Sequence, residues 1–182
     1  MTPTTTLTRI REASPCESGY KKLVKSLGGA KKYGEDTPIT VRQIVESNGL
    51  DDALWCLCTM PEHNHRWRLL AVCYARRIQH LLTDPDSAAA VNVAERYARG
   101  LATDAELASA HDAARAAAAT PATCAASAAR HAAQGAARHN AWVAVCVVAP
   151  AVKWVAMWET TWAAETEWQT AELLRICEEE TP

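Results

Sequence analysis

Four side chains able to ligate a metal ion, Cys56, Cys58, His63 and His65, fall within ten residues of this chain. Zinc takes thiolate sulfur and imidazole nitrogen in a tetrahedron, so the ligand types suit it. The spacing does not. A structural zinc site usually puts two or more residues between paired cysteines and a longer segment between the pairs. On a helix, residues 56 and 58 would point about 200° apart, at ~100° per residue. The four therefore read as core cysteines followed by a polar His-Asn-His loop, and neither a metal nor a cofactor is expected.

Catalytic chemistry is no better marked. A nucleophilic thiol or hydroxyl needs a base beside it, held in turn by a third group, and no glycine-rich elbow signals such a trio. No phosphate-binding glycine loop follows a strand. Asp51 and Asp52 suit the start of a helix, and Glu178 to Glu180 a solvated acidic end, rather than paired acid and base. His80, His111, His131 and His139 read as helix-face histidines. An enzyme whose site is assembled from distant residues stays as one alternative function.

Recognition is the better-supported chemistry. Trp154, Trp158 and Trp162 are one helical turn apart, and Trp168, Leu173 and Ile176 extend the same stripe. Each indole can bury on the order of 200 Å². Such rings either fill a core or anchor a protein partner or a dimer mate. Arg130, Gln134 and Arg138 form a second row spaced by four, flanked by His131 and His139, which could follow a phosphate backbone or an acidic protein surface. Two arginines without lysine or interleaved aromatics read first as a solvated face. With 19 Lys plus Arg against 21 Asp plus Glu, the net charge of −2 supplies no global field toward nucleic acid or an anionic membrane. Nucleic-acid binding is the second alternative function.

These residues must be held by helices. Between Ala88 and Ala164 the chain carries 31 alanines. Alanine loses no side-chain entropy in a helix and lets helices approach closely. Alanines at 125, 129, 133, 137 and 141, beside those at 128, 132 and 136, predict a shallow groove for a neighbouring helix. Helical periodicity fills nearly every interval between glycine and proline breaks, and strand patterns are almost absent. Short helices are expected at 8–13 and 17–27, one capped by Thr40 and running to Ser47, and one opening at Asp51 or Asp52 and stopping before Pro61. From Arg66 to Leu82, Trp67, Leu70, Ala71, Tyr74, Ile78 and Leu81 form one apolar stripe, with Arg68, Arg76 and Arg77 mostly elsewhere. Asp86 or Ser87 should cap a helix that closes at Arg99-Gly100, and Thr103 with Glu106 forms a capping box for a helix from Asp104 to about Thr120. After Pro121 a helix is expected over 122–148, broken at Pro150, and a last one over 151–178.

The expected fold is all-α, a multi-helix bundle with long alanine-rich C-terminal helices. A length of 182 residues and 49% hydrophobic content suit one helical domain over 1–182, with a short-helix half at 1–84 and a long Ala/Trp-rich half at 86–180. Seven scattered cysteines among apolar neighbours fit reduced thiols and a cytoplasmic setting. The N-terminus lacks the apolar core of a signal peptide, and the longest apolar run, 141–152, is short of the ~20 residues of a membrane span.

The blocks SNGLDDALWCL, RWRLLAVCYARRIQHLL and AAVNVAERYARGLATDAELASAHDAARAAA, with the alanine-rich continuation, resemble a group of alanine-rich helical proteins of bacteria and bacteriophages, some of the immunity-protein type. The similarity runs from about Thr40 onward, with Asp52 to Trp55, Ala71 to Arg77 and Arg96 to Thr103 matching its motifs. It implies an all-helical fold and a bacterial or phage setting, and brings with it no activity, cofactor or active-site residue. Cys56, Cys58, His63 and His65 lie outside the shared pattern. The functional expectation is a non-enzymatic, stoichiometric protein binder, an immunity-type or anti-CRISPR-like phage anti-defence inhibitor that can also pair with itself.

Overall fold

A computed structural model describes residues 2–82, 84–118, 131, 134–138, 140–156 and 161–178. Over these residues the chain is helical apart from one short ribbon. It groups into two compact units, one of residues 1–63 with 173–182, the other of residues 64–172. The halves drawn from the sequence at residues 84–86 do not coincide with this division, whose boundaries fall at 63/64 and at 172/173, where the polypeptide returns to the first unit.

In the first unit, β1 (Thr4–Thr5) pairs antiparallel with β2 (Ile39–Thr40), Thr4 opposite Thr40 and Thr5 opposite Ile39. Thr6 caps α1 (Leu7–Glu12) by accepting from the Arg9 N–H, and Leu7 and Ile10 go into the core. Then come α2 (Glu17–Ser26), α3 (Ala30–Tyr33), α4 (Val41–Asn48) and α5 (Leu50–Cys56), followed by 3₁₀ turns at Leu57–Thr59 and Pro61–His63. Thr40 starts α4 with a reciprocal capping box, its hydroxyl accepting from the Gln43 N–H while the Gln43 side-chain oxygen accepts from the Thr40 N–H. Gly49, at φ 96°, takes the left-handed region that lets the chain leave α4 and enter α5 without an intervening loop. The buried Thr5 and Thr59 hydroxyls meet at 2.7 Å, and Thr59 donates to the Cys56 carbonyl. Arg42 pairs with Glu178 within the same unit.

The second unit is built from α6 (Asn64–Arg77), α7 (Pro85–Ala98), α8 (Asp104–Ala118), α9 (Ala141–Ala156) and the first part of α10 (Trp162–Glu178). Helix α6 packs against both α7 and α9, and α7 against α8. The predicted stripe of α6 is core: Trp67, Leu70, Ala71 and Tyr74 are all fully buried. Facing it, α9 buries Ala141, Ala144, Val145, Val148, Ala149, Val152 and Val155, a three-and-four spacing of small and β-branched residues that admits a close neighbour. Asp84 caps α7, with Pro85 in its first turn, two residues before Asp86 and three before Ser87, the caps the sequence suggested. Gly100, at φ 71°, closes it as expected, and Thr103 with Glu106 opens α8.

Three expectations change. Pro150 does not end a helix: it sits inside α9, its ring on the exposed side. The helix expected over 122–148 instead stops at Ala136, with a turn at Ala137, and the chain restarts helically at Ala141. The expected last helix over 151–178 is divided between α9 and α10. The alanines from 122 to 130 and at 132 and 133 lie outside the described residues. Among the described residues, no helix is long and apolar enough to cross a membrane.

Candidate partner-binding surface

The tryptophans come from two helices. Trp154 lies two residues before the end of α9 and Trp162 is the first residue of α10, so the single ridge expected at one-turn intervals is absent between them. Trp158 lies outside the described residues. Trp154 is 44% exposed and Trp162 52%, whereas Trp67 is fully buried. Trp168, further along α10, is half-buried: its ring stands 5.8 Å from Tyr74, and the Arg77 guanidinium lies 4.9 Å from its centroid. Thus the tryptophans divide by position, with Trp67 in the core and Trp154 and Trp162 reaching solvent.

The inner side of this region is polar and dry. Glu165, Gln169 and Lys153 are buried, at 1%, 0% and 4% exposure. The Gln169 amide donates to the Glu165 carboxylate at 3.2 Å and to the Ala149 carbonyl at 3.1 Å. Arg77 approaches the same carboxylate at 3.5 Å, and the Lys153 ammonium lies 5.4 Å from the Trp162 centroid. Burial pushes the Glu165 carboxyl above its ordinary range, opposed by the hydrogen bond from Gln169 and by the Arg77 and Lys153 charges. This network fixes the start of α10 on α9 and thereby sets where Trp162 emerges.

Arg130 lies outside the described residues. Arg138 falls beyond the helical turn at 134–136, so the row spaced by four stops before reaching it, and its Nε is buried without a hydrogen bond. The described arginine that does organise this region is Arg68. It is buried, against the expectation that it faces away from the stripe, and its guanidinium donates to the carbonyls of Ala136 at 3.0 Å and Arg138 at 2.5 Å. It also lies 5.1 Å from the Tyr97 ring centroid, while the Tyr97 hydroxyl donates to Asp104. Arg66 is buried as well. Periodicity could not reveal either, since both flank Trp67 and an arginine enters an interior only when carbonyls and rings are there to receive it.

The four metal-ligand candidates do not form a site. Cys56 ends α5 and is buried, Cys58 is half-buried in the following 3₁₀ turn, His63 closes the next turn, and His65 lies in α6 with a buried Nε2 that has no hydrogen bond. Among the described residues, no three His, Cys, Asp or Glu side chains converge as a metal group. Burial, with the nearby Cys58, Asp52 and Cys16, pushes the Cys56 thiol up to about 12, and burial raises Cys58 too, so both resist becoming thiolates. A His-carboxylate contact occurs at His111 and Asp112, 3.4 Å apart, between adjacent residues on the surface of α8.

Compared with protein-family models, with curated proteins and with solved structures, the chain matches none.

Proposed function

We propose that this protein acts by gripping another protein stoichiometrically, as an inhibitor of the immunity or phage anti-defence type that its sequence resembles, in the cytoplasm of a bacterium or of a phage-infected cell. The observation that carries the reading is the exposure of Trp154 and Trp162. An indole left half in water forgoes burial of roughly 100 Å², worth about 2.5 kcal/mol at ~25 cal/mol per Å². Two such rings, beside a polar network that holds α10 in place, supply the rigid aromatic anchors on which interface energy concentrates. A second copy of the chain is one mate such anchors can take. Nucleic acid is less well served, because Arg138 does not extend an exposed cationic row.

The test compares the full chain with its Trp154→Ala, Trp162→Ala double variant, after matched thermal melts. The expected result is one host or phage protein, or a second copy of the chain, held in equimolar amount by the parent and lost by the variant. Equal retention by both proteins, or retention of nothing by the parent, overturns the reading.

A further inference from the structure

A cleft of about 430 Å³ opens in the second unit between α8 and the start of α9. Its floor is apolar, formed by Leu107 and Ala137, each 1% exposed, together with Val143. Arg138, His111 and Asn140 give it a polar side. Asp112, its one carboxylate among the described residues, is exposed and lies 3.4 Å from His111 and 3.7 Å from Arg115, so it is paired along its own helix. Arg138 makes no ion pair among the described residues, and its Nε is shut from water without a hydrogen bond.

The start of α9 adds N–H groups to that cation. The Asn140 side chain accepts from the Val143 N–H at 3.1 Å, and the other N–H groups of a helix's first turn have no acceptor inside the helix. On that turn the Trp142 indole nitrogen is buried without a hydrogen bond, as is His65 Nε2, whose ring lines an adjoining cavity that also takes in Asn140 and Ala141. With Arg138 Nε, these are the three buried side-chain nitrogens that lack a hydrogen bond among the described residues, and all three surround one helix start. Buried donors are seldom left without acceptors, and a cation loses more than a neutral group when water is withdrawn. The grouping calls for negatively charged oxygen.

We propose that this cleft binds a small oxyanion, a carboxylate or a phosphate monoester, carried on a short hydrocarbon body. Its oxygens lie between the Arg138 guanidinium and the first turn of α9, and its hydrocarbon rests on Leu107, Ala137 and Val143. A guanidinium presents paired N–H donors that match either oxyanion, and the dipole of a helix start favours negative charge. An alkylammonium would meet the like charge of Arg138, and a bare inorganic ion would leave the apolar floor uncovered. Size selects too. At ~30 Å³ per water the space holds about fourteen waters, enough for a six-carbon chain with its head group and too little for a stretch of nucleic acid.

Full-length ¹⁵N-labelled protein is titrated with hexanoate and hexyl phosphate, and in parallel with 1-hexanol, n-hexylammonium and inorganic phosphate as the neutral, cationic and bare-ion counterparts. The expected result is a saturable shift of the Arg138 Nε–H, the Trp142 indole and the Val143 amide with hexanoate or hexyl phosphate and with none of the other three. Tighter binding of hexanoate assigns the cleft to a carboxylate, and tighter binding of hexyl phosphate to a phosphate monoester. Arg138→Gln weakens binding by roughly tenfold, as loss of a charged hydrogen-bond donor does. Val143→Asp, which sets an opposing charge where a helix start tolerates aspartate, weakens it in the same direction without touching Arg138. Shifts that fail to saturate, equal shifts with 1-hexanol, hexylammonium or inorganic phosphate, or unchanged affinity in both variants overturn the proposal. None of these outcomes depends on Trp154 or Trp162.

Discussion

The Gln169 amide and the Glu165 carboxylate, one turn apart on α10, share a 3.2 Å hydrogen bond in a place that water does not reach. The helix that bears them is also pinned through the Gln169 carbonyl, which accepts from the Tyr74 hydroxyl at 2.7 Å. A carboxyl here is harder to ionise than in the unfolded chain, and burial is the largest cause. With its folded pKa raised, it contributes stability that is full below the unfolded value near 4.5 and is lost as pH rises through the folded value. Glu165→Gln removes that loss. Urea unfolding from pH 4 to 7 is expected to show wild type losing stability relative to the variant as pH rises. Parallel pH curves would mean that solvent reaches the carboxylate after all.

Glu62 runs in the opposite direction. Arg9 donates to both of its oxygens, at 2.7 and 2.8 Å, and this paired hydrogen bond takes the Glu62 carboxyl down to about 2. A lowered folded pKa contributes stability that is full above the unfolded value of 4.5 and is lost as pH falls through about 2. Both side chains are over a third exposed, at 36% and 48%, so water screens the pair and the contribution is about 1 kcal/mol at most. Glu62→Gln should cost up to that amount at pH 7 and progressively less as pH falls through about 2. A double-mutant cycle with Arg9→Ala at the two pH values measures it.

Pro150 removes one backbone donor from the middle of α9 and presses its ring toward the carbonyl of Cys146, a penalty of about 3 kcal/mol in an ordinary helix interior. The helix forms through it because the flanking residues Val148, Ala149 and Val152 are buried at helical spacing. The proline ring itself is exposed and supplies no core packing. Pro150→Ala should therefore raise stability by on the order of 1 kcal/mol or more. A fall in the melting temperature would show that α9 depends on the proline.

What the sequence made legible was local chemistry. Thr40 with Gln43, Thr103 with Glu106, and Gly100 each close or open a helix through atoms a few residues apart, so short windows suffice to find them. Interactions between distant segments were not legible. The β1 and β2 ribbon has two residues on each side and only one pairing partner, too little for a strand pattern. Pro150 reads as a stop until the buried face on both sides of it is known. The same holds for the surface: tryptophan identity was plain, but Trp154 and Trp162 share a face only if one helix continues between them, and it does not. Arg68 is the clearest case, since its burial depends on carbonyls of Ala136 and Arg138 far along the chain.

The close approach of small residues that the alanine content implied is sharpest at Gly135. A Cβ there would lie 2.8 Å from Val147 Cγ1 and 3.1 Å from Val148 Cγ2, well inside ordinary contact. The neighbouring Ala136, Ala137 and Ala144 are all buried to within 1%, so the backbone cannot retreat easily. Gly135→Ala gains helix propensity yet forces an overlap, and overpacking of this kind typically costs 1–3 kcal/mol. Steric cause can be separated from any backbone effect by trimming the opposing methyls. Val147→Ala alone should destabilise modestly, because Val147 is only half-buried. Combined with Gly135→Ala it should restore most of the loss, giving a coupling energy of about 1 kcal/mol or more in a denaturant cycle. Strict additivity of the two substitutions would mean that the segment at 134–136 does not rest against α9 closely enough for small residues to matter there.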